Sequence, residues 1–197
     1  MTYDLLTALF LFAFVSSITP GPNNLMLMAS GANFGFSRSL QHMFGIAIGF
    51  TGMIVLVGLG LMGLFEAFPA SYDILKAASI LYLLWLAWKI ATAAAPEGQS
   101  TDATPMTFLQ AAAFQWVNPK AWTMALTALS VYAPDQALRS ILLVAFIFGA
   151  INLPCISCWT VLGQQMRRIL TNAARLRLFN WIMALLLVAS LFPVIFP

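Results

Sequence analysis

Six apolar runs alternate with short polar joints along this chain. They extend from about Leu5 to Met28, Leu40 to Leu64, Ile74 to Ala91, Met106 to Tyr132, Ser140 to Gly163 and Leu178 to Phe196. Each is near the roughly 20 apolar residues that a helix needs to cross a bilayer. The pattern therefore predicts an all-α integral membrane protein of six transmembrane helices. A polar stretch, residues 95–105, separates three runs from three. The first run has no Lys or Arg ahead of Arg38 and outlasts the apolar core of a signal peptide, so it reads as a retained span. No stretch is polar enough to build a second domain, which leaves one transmembrane domain over residues 1–197.

Two of the runs are interrupted by proline. The first contains Ser16-Ser17-Ile18-Thr19-Pro20-Gly21-Pro22-Asn23-Asn24, and the fourth contains Gln115-Trp116-Val117-Asn118-Pro119-Lys120. Proline has no N–H and clashes with the carbonyl four residues back. Pro20, Pro22 and Pro119 thus release the carbonyls of Ser16, Ile18 and Gln115, so helices 1 and 4 are expected to be broken. Irregular backbone at membrane depth is tolerated only where it is buried in protein or lines a watery cavity. Interrupted helices at matching places in two halves point to a transporter's substrate site.

The halves look related. A shift of 99 residues pairs Pro20 with Pro119, Thr19 with Asn118 and Ser16 with Gln115, and Phe44-Gly45-Ile46-Ala47 resembles Phe148-Gly149-Ala150-Ile151. Repeat 1 covers about 1–94 and repeat 2 about 106–197. With three spans each, the two repeats must be inverted relative to one another. The connection between spans five and six holds Arg167, Arg168, Arg175 and Arg177, and lysine and arginine mark cytoplasmic ends. That orientation also places Arg38 and Lys89 inside. Asp4, Glu66, Asp73 and Asp135 fall outside with Lys76 and Arg139, and both termini are external. Trp85 and Trp88 suit the cytoplasmic interface.

Composition supports this reading. The 197 residues are 61% hydrophobic and 8% charged, with mean hydropathy +0.91, against about 25% charged in an ordinary soluble domain. The net charge of +3 gathers in one loop and reports orientation, which argues against a nucleic-acid partner. Cys155 and Cys158 are too few for a structural zinc site, which takes about four ligands; they read as two small residues a helical turn apart. No metal, cofactor or catalytic motif is indicated. An intramembrane enzyme using Lys120 or Cys158 and a structural or assembly subunit without transport remain as alternatives.

The breaks supply the candidate chemistry. A half-helix starting near Pro22-Asn23 offers free N–H groups with partial positive charge, suited to a carboxylate. The released carbonyls and the amides of Asn23, Asn24 and Asn118 suit an ammonium group. Lys120 lies roughly 20 Å by helical rise from either end of its span, at a cost of about 2.5–3.5 kcal/mol for a central lysine. No acidic residue lies in the apolar runs. Its partner is then a substrate carboxylate or the carbonyls of the broken first helix. Asn152 and Pro154 are candidate cavity liners, and His42 is placed at the cytoplasmic mouth of the second span. Gly45, Gly49 and Gly52 form a small-residue face for internal packing or, as second choice, a homo-oligomer contact.

Thr19-Pro20-Gly21-Pro22-Asn23, Gly35-Phe36 and Gln115-x-x-Asn118-Pro119-Lys120 resemble the lysine-exporter (LysE/RhtB) family of bacterial amino-acid exporters, and the resemblance covers essentially the whole chain. Leu83-Leu84-Trp85-Leu86-Ala87-Trp88-Lys89-Ile90 is most similar to the branch exporting cysteine and O-acetylserine. The resemblance implies an inner-membrane exporter driven by the proton-motive force, an antiport in which a coupling proton exchanges for the substrate, with downhill release as the alternative. Without an acidic residue in the spans, a small neutral or polar amino acid (cysteine, O-acetylserine or homoserine-like) fits best as substrate. The expected substrate-contacting set is Thr19, Pro20, Gly21, Pro22, Asn23, Asn24, Gln115, Asn118, Pro119, Lys120 and Asn152.

Overall fold

The computed structural model describes residues 2–61, 67–68, 70–93 and 104–195. Among these every regular element is helical. Glu66, most of the polar stretch near residue 100, the end of the second run and Phe196 lie outside the described residues.

The first run is two helices. α1 (Tyr3–Ile18) is capped by the Thr2 hydroxyl and stops where Pro20 forbids continuation. α2 (Pro22–Phe34) restarts with proline at its first position, where a missing N–H costs nothing. The axes differ by 51°. By helical rise α1 is about 24 Å long and α2 about 20 Å, so the break divides the run near its middle. After Gly35, whose φ of 84° ends α2, a 3₁₀ turn at Ser37–Ser39 leads into α3 (Leu40–Leu56) and a π turn at Val57–Leu61. α4 (Ala70–Ala91) completes the first half.

The fourth run is also divided. α5 (Phe108–Phe114) opens with a reciprocal cap between Thr107 and Gln110. It tightens into a 3₁₀ turn at Gln115–Val117 and resumes as α6 (Pro119–Tyr132), capped by the Asn118 side chain. α7 (Leu138–Met166) is the longest helix, and α8 (Ala173–Ala189) follows. α8 starts five residues before the expected boundary, because Asn172 caps it by accepting the Arg175 N–H. Arg175 and Arg177 are therefore within the helix rather than in the connection.

Three stretches, Ser37–Leu61, Asp73–Ala91 and Leu138–Met166, are long and apolar enough to cross a membrane, and the bent α1–α2 pair makes a fourth if counted as one. The other two expected spans are a helix cut into pieces of 7 and 14 residues and α8 with 17 residues, at the bottom of the spanning range of about 17–25.

α7 packs on α1, α2 and α3, α3 packs on α5, and α4 packs on α8. Glycines permit the closest contacts. A Cβ on Gly31 would strike the Thr160 carbonyl, and one on Gly163 the Met28 carbonyl. Gly45 lies on Phe108 and Gly49 on Ala112, whereas nothing approaches Gly52. Two of the three glycines on α3 thus serve internal packing. The arginine-bearing helix ends meet on one face: Arg167 donates to the Asn33 carbonyl, and Asn180 joins Asn33 and the Ala93 carbonyl.

Candidate functional site

Both breaks converge on one small, half-open polar cavity between two apolar clusters. On the side of the termini lies the cluster of Leu9, Ala13, Met53, Ile54 and Phe148, with the rings of Phe12 and Phe50 set edge-on to Phe148. Met26 and Phe114 belong to a second cluster, which extends along α4 and α8. Between them Gly21, Asn23, Asn24, Asn118, Lys120 and Asn152 line a cavity of about 20 Å³, together with Ser16, Ser17, Phe50, Ala121 and Met124. That volume holds about one water molecule.

The released carbonyls are all engaged. Thr19 Oγ1 donates to the Ser16 carbonyl at 3.1 Å. Asn24 Nδ2 donates to the Ser17 and Thr19 carbonyls, each at 2.8 Å. The Trp159 indole N–H reaches the Ile18 carbonyl at 2.9 Å. Lys120 Nζ donates to the Thr19 carbonyl at 2.8 Å, Thr19 Oγ1 at 3.0 Å and the Pro20 carbonyl at 3.2 Å. Every hydrogen-bond partner of the lysine ammonium among the described residues is an oxygen of the first helix's break. Hydrogen bonds from a charged donor contribute about 1.5–3 kcal/mol each, which offsets the cost of placing that charge at depth.

A second link joins the breaks. Asn23 Nδ2 donates to Gln115 Oε1 at 2.9 Å, and Gln115 Nε2 returns a bond to Asn23 Oδ1 at 3.2 Å. Gln115 is wholly buried, and its amide also caps the Ala111 carbonyl. Asn152 Nδ2 donates to Ser17 Oγ at 3.3 Å, while its Oδ1 is buried with no partner. At the start of α2, Gly21 provides no side-chain cap, so the N–H groups of Asn23 and Asn24 are the helix's open donors.

Six of the eleven residues expected at the site line the cavity. Thr19 and Gln115 act one step away, as acceptors and donors for Lys120 and Asn23. Pro20 is exposed, Pro22 is buried and Pro119 is half-buried; they shape the breaks without lining the cavity. Pro154 is exposed on α7 rather than a liner. His42 lies in the first turn of α3, buried in the protein, with neither ring nitrogen hydrogen-bonded. Cys155 is buried and Cys158 exposed, both free thiols.

Sequence reasoning passed over Ser17 and Trp159. The signal for Trp159 was available: it lies seven residues, two helical turns, beyond Asn152, on the same face of α7. Ser17 was hidden beside Ser16, since nothing in an apolar run says which of two serines turns inward.

An all-helical, strongly apolar chain whose first apolar run is broken near its middle, with a polar cavity at the break, is a multi-pass membrane protein of the translocator class. The LysE type translocator family matches residues 14–192, and the chain belongs to that family. The cysteine/O-acetylserine efflux proteins of Escherichia coli O9:H4 (strain HS) and Escherichia coli (strain K12) are each 33% identical over 190 residues, 95% of this chain and 96% of theirs. The protein of the same description from Shigella sonnei (strain Ss046) matches to the same extent. No solved structure matches the chain. The family comprises transporters, not enzymes, which sets aside the intramembrane-enzyme alternative.

Proposed function

We propose that this protein exports small polar amino acids, of the cysteine and O-acetylserine kind, across the bacterial inner membrane by alternating access around the midplane cavity. The observation that supports this most is the convergence of two broken helices on one cavity that offers both signs of charge. The open N–H groups of α2 and the Lys120 ammonium attract a carboxylate. The Thr19 and Pro20 carbonyls and Asn152 Oδ1 accept from an ammonium.

The two links between the breaks are suited to be gates. α5 and α2 run to the arginine face, so the Asn23–Gln115 pair is the inner link. α1 and α6 run to the opposite face, so the Lys120 contacts with Thr19 and Pro20 are the outer one. With both links made, the cavity of about 20 Å³ is too small for an amino acid, and releasing one link at a time widens it from one side at a time. The six-span inverted repeat fits the packing: the second helix of each half lies on the first helix of the other, α3 on α5 and α7 on α1 and α2, while α4 and α8 pair. Under the positive-inside rule the arginine face is cytoplasmic and both termini are periplasmic. A zwitterion moves no net charge, so the membrane potential drives it only through a coupled ion, for which proton antiport is the reading adopted.

The test uses purified protein in proteoliposomes loaded with a mixed amino-acid pool and given a pH gradient. Small polar amino acids should leave, faster with the gradient than without. Lys120→Ala should abolish this flux with membrane insertion retained. Wild-type flux in that variant removes the lysine from the mechanism, and absence of flux from the wild-type protein favours a structural or assembly role.

A further inference from the structure

A second cavity, of about 460 Å³, lies beside the midplane one. Its wall runs from Met26 and Tyr82 at the deep end to Asn33 and Phe34 at the end of α2 and Thr92 and Ala93 just beyond α4. It is thus a vestibule between α2 and α4 that reaches the arginine-bearing helix ends. Its volume falls in the range of about 300–1,000 Å³ usual for small molecules.

The floor between the two cavities has two layers. Met26 faces the vestibule, and Asn23, three residues earlier on α2, faces the midplane cavity. Met26 belongs to the same buried cluster as Phe114, which is 1% exposed, and the Tyr82 ring lies 5.6 Å from the Phe114 ring. The layer beneath is the Asn23–Gln115 amide pair, with Gln115 next to Phe114 in the chain. An apolar layer is therefore stacked on a polar link. A closed apolar constriction stays dry and so holds back water and ions, which amides, being polar, do not do.

α4 is held differently at its two ends. It shares one buried cluster with α8, through Leu83, Leu86, Ala184 and Leu187, so the two helices form a pair. At the mouth of the vestibule Asn180 of α8 is wholly buried. It accepts from Asn33 Nδ2 at 3.0 Å, donates to Asn33 Oδ1 at 3.4 Å and donates to the Ala93 carbonyl at 3.4 Å. Breaking that pin would leave buried amides unmet. At the floor, no hydrogen bond among the described residues joins α4 to α2 or α5; the contact there is apolar, with nothing directional to break. The methionine thioether of Met26 adapts readily to a shifted neighbour.

We propose that this vestibule is the route by which cargo passes between the arginine face and the midplane cavity, and that Phe114, closed on by Met26 and Tyr82, is its gate, which parts when the α4–α8 pair tilts about the Asn33–Asn180 pin. What passes rests on the export reading above; the route and the gate are tested without any cargo.

The experiment measures how fast a small membrane-impermeant methanethiosulfonate modifies single cysteines in the full-length protein, in right-side-out and in inverted membrane vesicles. Cys155→Ala with Cys158→Ala is the background. Gln110→Cys, exposed on the vestibule wall, reports on the vestibule, and Ser16→Cys, on the midplane wall, reports on what lies beyond the gate. From the arginine face Gln110→Cys should react readily and Ser16→Cys at least about tenfold more slowly. Adding Phe114→Ala should speed Ser16→Cys about tenfold from that face only and leave Gln110→Cys unchanged. Leu187→Ala, which truncates a buried side chain of the same cluster on α8, should not speed it. Should Phe114→Ala not yield folded protein, Tyr82→Ala, at a half-buried position on the vestibule wall, takes its place with the same expected result. The proposal falls if Leu187→Ala speeds Ser16→Cys as much as the gate variant does, since loosened packing then explains the rate. It also falls if Gln110→Cys is unreactive from the arginine face, or if the gate variant acts from the opposite face or not at all. Because no amino acid is present, the pattern is independent of the flux measurement. Flux without the pattern overturns the route and gate alone, and the pattern without flux overturns the export reading alone.

Discussion

Asn23 and Gln115 each give and take one hydrogen bond, so either one alone is worse off than neither. Gln115→Leu leaves the half-buried Asn23 amide without its partner, at a cost toward the lower end of the roughly 1–3 kcal/mol of an unmet buried polar group. The double variant Asn23→Leu with Gln115→Leu removes both needs at once and should regain much of that stability, though not the export rate. Thermal unfolding of the four proteins in detergent, taken as a double-mutant cycle, checks this. Simple additivity of the two losses counts against a mutual pair. Lys120 illustrates how far residue chemistry is legible before coordinates. Its expense at depth and the absence of an acidic partner narrowed its choices to a substrate or the first helix's oxygens, and the structure shows the second in place. What the sequence could not convey was that the protein itself occupies the released carbonyls, because donors such as Trp159 arrive from a helix some 140 residues away.

For the helices, packing rather than propensity decides what is tolerated. Gly49 and Gly52 are three residues apart on α3 and look alike in sequence, but a Cβ on Gly49 would lie 2.6 Å from the Ala112 Cα while Gly52 faces open space. Gly49→Val should cost about 1–3 kcal/mol through overpacking and lower the yield of monodisperse protein; Gly52→Val should be close to wild type. Equal yields would mean that α3 and α5 move apart freely. Helix boundaries were readable where a proline set them, as at Pro22 and Pro119. They were less readable where chain polarity misled. Arg175 and Arg177 read as loop because they are charged, yet a helix entering a membrane from a capped turn carries its arginines on its first two turns. The 3₁₀ tightening at Gln115–Val117 had no compositional mark at all, since it follows from where α5 must hand over to α6.

At the scale of the molecule, the proposed orientation sets Arg38, Arg167 and Arg168 on the face opposite the termini, and that arrangement has a direct test. In a Cys155→Ala, Cys158→Ala background, Thr2→Cys should react with a membrane-impermeant maleimide added to intact cells, and Arg168→Cys only after permeabilisation. The reverse pattern would invert the orientation and with it the direction assigned to each gate. The proposed relation between the halves was faint in sequence because apolar runs resemble one another by composition alone; what supports it is the packing of α3 on α5 and of α7 on α1 and α2. The grip of Lys120 on three oxygens of the opposite half has a final implication. On the export reading, a tethered ammonium already sits where the cargo's own ammonium would go, so loading swaps like for like. The lysine turns toward the arriving carboxylate while the cargo's cation inherits the Thr19 and Pro20 oxygens, and no oxygen is bared in between. Between turnovers the resident cation plugs the seat against stray ions, which makes the idle protein tight to leak.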